Sequence, residues 1–305
     1  MGWAVQKLSE IRELLLSAGK RPQGRLGQRF LIDANLMSKL LELAELAGDE
    51  TVLEVGAATG SLTEELLERA GRVVAVELDS KLAEILLRRL GGRERLTVLN
   101  CDVLAGKHAL AGEVLGELAG EDSVHLVANL PYNIAVPLIL NCLLLSWRAV
   151  RPEVGRDPAG AVTFGRLTFT IQRELAERLT AEAGGGYGPA AVIVALLARA
   201  TPGRAVGPEA FWPRPKVDSQ ILRLDFEPDR AGRLADAAVL SQVLSMTFGQ
   251  RRKKIIAAAR RKDLPFGGEA FLAALDRAGI DRSARPEQVP PAGFLALANT
   301  LAGVP

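Results

Sequence analysis

Apolar positions recur along the chain with two different periods, and the change of period divides it into parts. Val5, Leu8, Ile11, Leu14 and Leu15 repeat at helical spacing over residues 4–18, with charged residues between them. Residues 33–47 carry the same pattern, with Asp33 or Asn35 as the cap and Gly48 as the stop. Short β-branched runs then alternate with helical stretches. The spacing predicts strands at 51–55, 73–76, 96–99 and 124–128, and helices at 61–70 and 80–90. Runs at 167–171, 191–197 and 220–226 supply later strands, and the proline-rich segment 208–215 reads as a loop. Beyond Phe226 the strand signals stop, and residues 234–248, 251–261, 269–278 and 291–301 all look helical.

Strands alternating with helices predict an α/β fold, a doubly wound Rossmann-like parallel sheet with a small C-terminal all-helical domain. The expected organisation is an N-terminal helical extension (1–25), a Rossmann-like domain (26–227) and a basic helical domain (228–305). With 305 residues, 48% hydrophobic and 24% charged, the composition adds only that the chain can bury a globular core. Charge matters through its distribution. Residues 228–305 hold 12 Lys/Arg against 7 Asp/Glu, whereas the whole chain is only +2, so the remainder is net acidic. A basic tail domain predicts contact with a polyanion. Cys101, Cys142, His108 and His125 show no metal-ligand spacing, so neither metal nor disulfide is expected. Charges within the first apolar stretch do not fit a leader peptide. The apolar run 134–145 is broken by Pro137 and Asn141 and is too short for a bilayer. No membrane partner and a cytoplasmic location follow as expectations.

In a doubly wound sheet, ligands bind beyond the carboxyl ends of the strands. There the first strand runs into Gly56-Ala57-Ala58-Thr59-Gly60, whose small residues let a ligand approach the backbone and whose helix offers unpaired N–H groups. The plainer reading is a tight strand-to-helix turn. Glu77, at the end of the second strand, is placed to grip two ribose hydroxyls. Asp102, at the end of the third, either accepts from an adenine amino group or simply caps the strand. A nicotinamide site would use the same turn and Glu77, but it expects three glycines in G-x-G-x-x-G spacing, and only Gly56 and Gly60 are present.

The fourth strand ends in Asn129-Leu130-Pro131-Tyr132. A polar Asn at the tip of a buried strand is costly unless it finds partners. An adenine N6 amine is a suitable one, because its lone pair is delocalised into the ring and needs help to attack. The Asn129 side-chain oxygen and the Leu130 carbonyl can accept its two N–H bonds, which strengthens as positive charge develops on nitrogen. Pro131 fixes the turn, and Tyr132 offers a face for stacking. A neutral Asn argues against a strong general base.

These motifs resemble, in order, the ribosomal RNA adenine N6,N6-dimethyltransferases of the KsgA type, from Ile11 to about Leu301. Gly27-Gln28-Arg29-Phe30-Leu31 resembles the family's G-Q-x-F-L, Glu54 to Gly60 its cofactor loop, and Glu77-Leu78-Asp79 its E-x-D. Asn129 to Ile134 resembles N-L-P-Y-N-I, Phe211 to Ser219 resembles F-x-P-x-P-K-V-D-S, and Phe248 to Lys253 resembles F-x-Q-R-R-K. The resemblance implies S-adenosylmethionine as cofactor, contacted by Gln28, Arg29, Leu31, Gly56, Glu77, Asp102 and Asn129. It implies that Asn129, Leu130, Pro131 and Tyr132 hold the target adenine, with Phe211 stacking on its other face. The implied substrate is two adjacent adenosines in the 3′-terminal hairpin of small-subunit rRNA, within an immature 30S particle, each taking two methyls from a monomeric enzyme. Three departures stand out: Ala58 in a loop that is usually Gly-Pro-Gly, Arg29 where Asn or His is common, and an insertion at 151–165.

Arg251, Arg252, Lys253 and Lys254 open the expected helix 251–261 and read either as a solvated basic face or as an rRNA-binding surface. Two alternatives to the small-subunit enzyme remain. One is the related large-subunit adenine methyltransferase of macrolide resistance, and the other is a non-catalytic RNA-binding assembly factor on the same fold.

Overall fold

The computed structural model describes residues 6–24, 27–151, 162–261 and 263–303. Val5, Arg25, Lys262 and most of the 151–165 insertion lie outside the described residues. In chain order the elements are α1 (Leu8–Ser17), β1 (Phe30–Leu31), α2 (Ala34–Ala44), β2 (Thr51–Val55), α3 (Ser61–Leu67), β3 (Arg72–Val76), α4 (Ser80–Leu90) and β4 (Leu96–Leu99). There follow α5 (Gly112–Leu118), β5 (Val124–Asn129), α6 (Ala135–Ala149), β6 (Phe164–Gln172), α7 (Arg173–Leu179), α8 (Pro189–Leu197), β7 (Ala198–Val206), β8 (Phe211–Trp212) and β9 (Ser219–Phe226). The chain closes with α9 (Pro228–Ala231), α10 (Ala237–Phe248), α11 (Gly268–Arg277) and α12 (Pro291–Leu301).

Seven strands form one sheet in the order β4-β3-β2-β5-β6-β9-β7. From β4 to β6 the pairs are parallel, and these strands are largely buried, as sheets covered on both faces require. The order reverses between β2 and β5, which makes their carboxyl ends the switch point where a ligand crevice opens. The sheet is mixed rather than wholly parallel, because β9 pairs antiparallel with β6. The link from β7 to β9 holds only a short 3-10 turn and β8, with no helix to serve as a crossover.

Two expected elements change type. Residues 191–197 form part of α8, not a strand; a continuous apolar run has no diagnostic period, and Pro189 at the first helical position was the discriminating sign. The missing strand is the next segment, β7, whose Pro202 and Gly203 disguise it. Proline is tolerated there because β7 is an edge strand. The expected helix over 251–261 is also absent. Residues 251–253 form a turn, and a 3-10 segment occupies Ile255–Arg260. Four consecutive cations would oppose the dipole at a helix amino terminus. In α2, Asp33 is the cap, accepting from the N–H groups of Asn35 and Leu36 at 2.9 and 3.0 Å.

By backbone contacts the chain divides into two compact units. The first holds Met1–Ala149, Arg156–Ala176 and Thr201–Asp225; the second holds Val150–Gly155, Glu177–Ala200 and Phe226–Pro305. The second unit therefore takes α8 as well as the tail, where the sequence pattern placed a single boundary at Glu227-Pro228. In the first unit a core cluster joins Met37, Leu40, Val52, Leu66 and Val73, while Ile11 and Leu15 of α1 pack on Leu82 and Ile85 of α4. Burying each such side chain contributes about 1.5–3 kcal/mol, enough to hold a ten-residue helix that would not persist alone. The second unit is centred on buried Phe271 and Phe294, with Tyr187 and Phe248 ring-to-ring at 5.9 Å.

Candidate active site

At the switch point an open cleft is lined by residues 27–30, 55–56, 58, 76–78, 101–103 and 129–134. The ends of β2, β3, β4 and β5 and the segment before β1 thus meet in one place. Gly56 and Gly60 have φ of +78° and +84°. A Cβ on Gly56 would press on Pro131 at 3.3 Å, and one on Gly60 would meet Leu86 at 2.6 Å, so both positions demand glycine. Ala58 between them also has positive φ, +52°, and this is where the family loop departs.

Glu77 is buried, and its two carboxylate oxygens accept N–H groups from Ala58 and Asp79, both at 2.8 Å. Burial pushes its pKa upward, and those two N–H bonds pull against the shift. Asp102 is exposed at the cleft, with one oxygen accepting from the N–H of Leu104 at 2.9 Å. Behind the Gly56 loop, Glu54 is fully buried against the Thr63 hydroxyl at 2.6 Å; burial raises its pKa to about 8, and the neighbouring Glu77 adds to the rise.

Gln28 lines the cleft, but its polar atoms are committed elsewhere. Its side-chain N–H donates to Asp79 at 3.3 Å and its oxygen accepts from the Gln23 N–H at 2.7 Å. Asp79 also takes the Lys20 ammonium at 2.5 Å and caps α4 through the N–H groups of Lys81 and Leu82. Gln28 and Asp79 therefore fasten the segment before β1 to the acidic strand end. Arg29 donates to the carbonyl of Gln28 at 2.9 Å, while its Nε is buried without a hydrogen-bond partner. Leu31 is buried in the core and lines a smaller cavity behind the Gly56 loop, outside the main cleft.

At the tip of β5, Asn129 donates from Nδ2 to the Arg29 carbonyl at 2.8 Å, and its Oδ1 accepts from the Thr170 hydroxyl at 2.5 Å. Leu130 is anchored by its N–H on the Thr170 carbonyl at 3.2 Å. The Tyr132 hydroxyl shares a hydrogen bond with Ser219 at 2.8 Å, and burial raises the phenol's pKa.

Phe211, expected to stack on the target base, does not line the cleft. It pairs through β8 with Leu31 of β1 and is only 2% exposed within the core, so it presents no face to a base there. Its regular register opposite a buried strand residue holds it inward. In the second unit Arg251, Arg252, Lys253 and Lys254 are exposed, with Arg251 3.8 Å from Glu287. Sequence reasoning missed Asp79, Thr170 and Ser219 as site supports. It also missed Leu78, an apolar side chain left 51% exposed at the cleft. Leu78 was findable, since it lies between the two acids of the E-x-D motif.

The cleft fits a nucleoside-bearing amino acid. It pairs a buried carboxylate, a glycine that only Gly can supply and a buried guanidinium nitrogen without a partner. Sheet order and site together define a class, the Rossmann-like methyltransferases that use S-adenosylmethionine. Comparison with known proteins narrows it. The model of the family "Ribosomal RNA adenine dimethylase" matches residues 19–303, and the chain belongs to that family. It is an rRNA adenine dimethyltransferase with S-adenosylmethionine as methyl donor. The chain is 37% identical to a "Ribosomal RNA small subunit methyltransferase A" of Phenylobacterium zucineum, covering 97% of this chain and 94% of the relative. It is 34% identical to the protein of that name in Clostridium perfringens, covering 97% of each. Among solved structures, a dimethyladenosine transferase from Plasmodium falciparum superposes with TM-score 0.66 at 23% identity, over 88% of this chain and 95% of that one. The 23S rRNA methyltransferase ErmE superposes with TM-score 0.59 at 29% identity, over 90% and 99%. Among the described residues no helix is long and apolar enough to cross a membrane, and no cluster of metal-ligating side chains occurs.

Proposed function

We propose that this chain dimethylates the N6 amines of two adjacent adenosines in the 3′-terminal hairpin of small-subunit rRNA, as a cytoplasmic monomer acting on immature 30S particles. The observation that carries the chemistry is the meeting of the Asn129–Tyr132 turn with Glu77 and Asp102 in one cleft. The small-subunit substrate is supported by the names of relatives at 34–37% identity.

In this reading Glu77 accepts from ribose hydroxyls, Asp102 accepts from the cofactor's adenine amine, and Leu78 gives the purine an apolar wall. Gly56 keeps the loop close, and the Arg29 guanidinium faces the cofactor's carboxylate. Gln28 shapes the cleft without direct polar contact, and Leu31 packs in the core behind the Gly56 loop. Bound there, S-adenosylmethionine supplies a methyl group on a positively charged sulfur. Asn129 Oδ1 keeps a second lone pair after its bond from Thr170, and with the Leu130 carbonyl it accepts the two N–H bonds of the substrate amine. Those bonds strengthen as nitrogen becomes positive in the transition state, which is where they lower the barrier. The carboxamide takes up no proton, so the product's proton leaves to water.

Tyr132 stacks on a base turned out of its helix, returning roughly 1–3 kcal/mol of the unstacking cost. The exposed run Arg251, Arg252, Lys253 and Lys254 supplies phosphate contacts. The test is incubation with labelled cofactor and undermethylated small and large subunits, followed by mapping of the label. Label confined to adjacent adenosines of the small subunit is expected. Label confined to the large subunit would transfer the reading to the macrolide-resistance enzymes. No transfer and no cofactor binding by calorimetry would leave an assembly factor.

A further inference from the structure

The reacting turn lies at the end of β5, yet its side chains are held by the two strands beyond it. The carbonyl of Arg29 can only accept, so the end of the Asn129 amide facing it is NH2, and the amide oxygen must face the Thr170 hydroxyl. Thr170 is 0% exposed and stands directly opposite Asn129 in the β5–β6 register. One bond alone would leave the amide free to swing, because its terminal torsion is broad. Two bonds, one at each end of the amide, clamp it. The same strands reach Tyr132: Ser219, fully buried at the start of β9, meets its hydroxyl and pairs in register with Gln172 of β6.

We propose that Thr170 is a positioning residue for methyl transfer, its hydroxyl fixing the Asn129 amide so that the free lone pair of Oδ1 is presented to the substrate amine. This rests on the reading of Asn129 as the amine's acceptor. Ser219 anchors the hydroxyl end of Tyr132 on the neighbouring strand. The inference gives β6 and β9 a chemical duty, and it explains why a serine closes the Phe211–Ser219 motif.

The experiment compares Thr170→Val, which keeps the shape and removes the donor, with Thr170→Ser, which keeps the hydroxyl. Turnover on undermethylated small subunits and calorimetric cofactor affinity are measured for each. Thr170→Val is expected to lose about ten-fold in kcat, the loss of one hydrogen bond, with KM and cofactor affinity near those of the parent. Thr170→Ser is expected to restore most of that loss. Thr170→Val combined with Asn129→Ala is expected to be no worse than Asn129→Ala alone, since one residue acts through the other. Parent-like kcat in Thr170→Val, equal defects in the Val and Ser variants, or a defect confined to cofactor affinity would each overturn the proposal. If Thr170→Val fails to fold, Ser and Cys at the position give the same comparison at matched size, because a thiol is a weak donor. Full turnover in Asn129→Ala would instead remove the reading on which the inference rests.

Discussion

The two walls of the cleft are built from different chemistry. The cofactor wall stands on carboxylates, Glu77, Asp79 and Asp102, whose oxygens are held mainly by main-chain N–H groups. The substrate wall stands on a neutral amide and a phenol, held by hydroxyls of Thr170 and Ser219 that lie 41 and 87 residues away in the chain. The first wall binds through charge and is sensitive to protonation. The second acts through neutral dipoles whose aim, not ionisation, decides the rate. Perturbations of the two walls should therefore separate into binding and turnover.

The largest break is expected at the substrate wall. Asn129→Ala removes the acceptor aimed at the amine, and kcat should fall by about 10²–10³-fold, as when one hydrogen-bonding group of an oxyanion-type site is lost. Cofactor affinity by calorimetry should stay within a few-fold of the parent. A matching collapse of cofactor binding would show that the walls are not separate.

Arg29 sharpens the comparison from the other side. Its buried Nε has no partner, and a charge-assisted bond to a carboxylate contributes about 1.5–3 kcal/mol. Arg29→Met should weaken S-adenosylhomocysteine by about ten-fold or more, yet leave 5′-methylthioadenosine, which lacks the amino-acid end, nearly unchanged. Equal loss for both ligands would sink the carboxylate assignment.

The contrast between walls also explains what could be read from sequence. The Gly56–Gly60 turn, Glu77 and Asp102 were legible because strand-end acids and a glycine loop are local patterns, fixed by backbone geometry within a few residues. Thr170 was not, since an isolated hydroxyl carries no signal until strand register puts it opposite a partner, and Ser219, although it closes a motif, shows its tie to Tyr132 only in the folded chain. Phe211 misled because an aromatic in a site motif suggests stacking, whereas its pairing with Leu31 turns it into the core. The strands β2 to β5 and the helices α3 and α4 were legible, where periods are clean, whereas α5 between β4 and β5 was not foreseen. The sequence pattern failed at α8 and β7, where a period-free apolar run and an edge proline exchanged their appearances, and over 251–261, where a 3-10 segment replaces the expected helix.

Protonation gives a third separation. Glu54 has a folded pKa near 8 against an ordinary value of 4.5, so the folded state holds its proton more tightly than the unfolded chain. For a carboxyl shifted upward, the native state binds more protons between those values, and stability falls as pH rises across that window. The slope is at most about 1.4 kcal/mol per pH unit. Glu54→Gln keeps an acceptor for Thr63 and should flatten the decline of Tm between about pH 5 and 8. The same substitution should leave kcat at saturating cofactor unaffected by pH, since the substrate wall has no carboxylate. A parent Tm that does not fall across this range would contradict the buried, protonated state of Glu54.

The smallest effect tests the loop itself. Ala58 sits at φ +52°, where a Cβ crowds the following carbonyl and costs about 1–2 kcal/mol relative to an ordinary conformation. Its N–H nevertheless supplies one of the two bonds that orient Glu77, so the strained conformation is held by the site. Ala58→Gly removes the clash but adds freedom to the unfolded chain, and the two partly cancel. The expected net gain is about 0.5–1 kcal/mol in denaturant unfolding, with the Glu77 bond intact because a glycine at this position keeps the same N–H. Cofactor affinity should rise slightly, as one methyl leaves the rim of the cleft, while kcat stays at the parent value. A fall in stability would mean that the loop relaxes out of the left-handed region once freed, so that Ala58 is held there by its neighbours and not by the demands of the backbone turn.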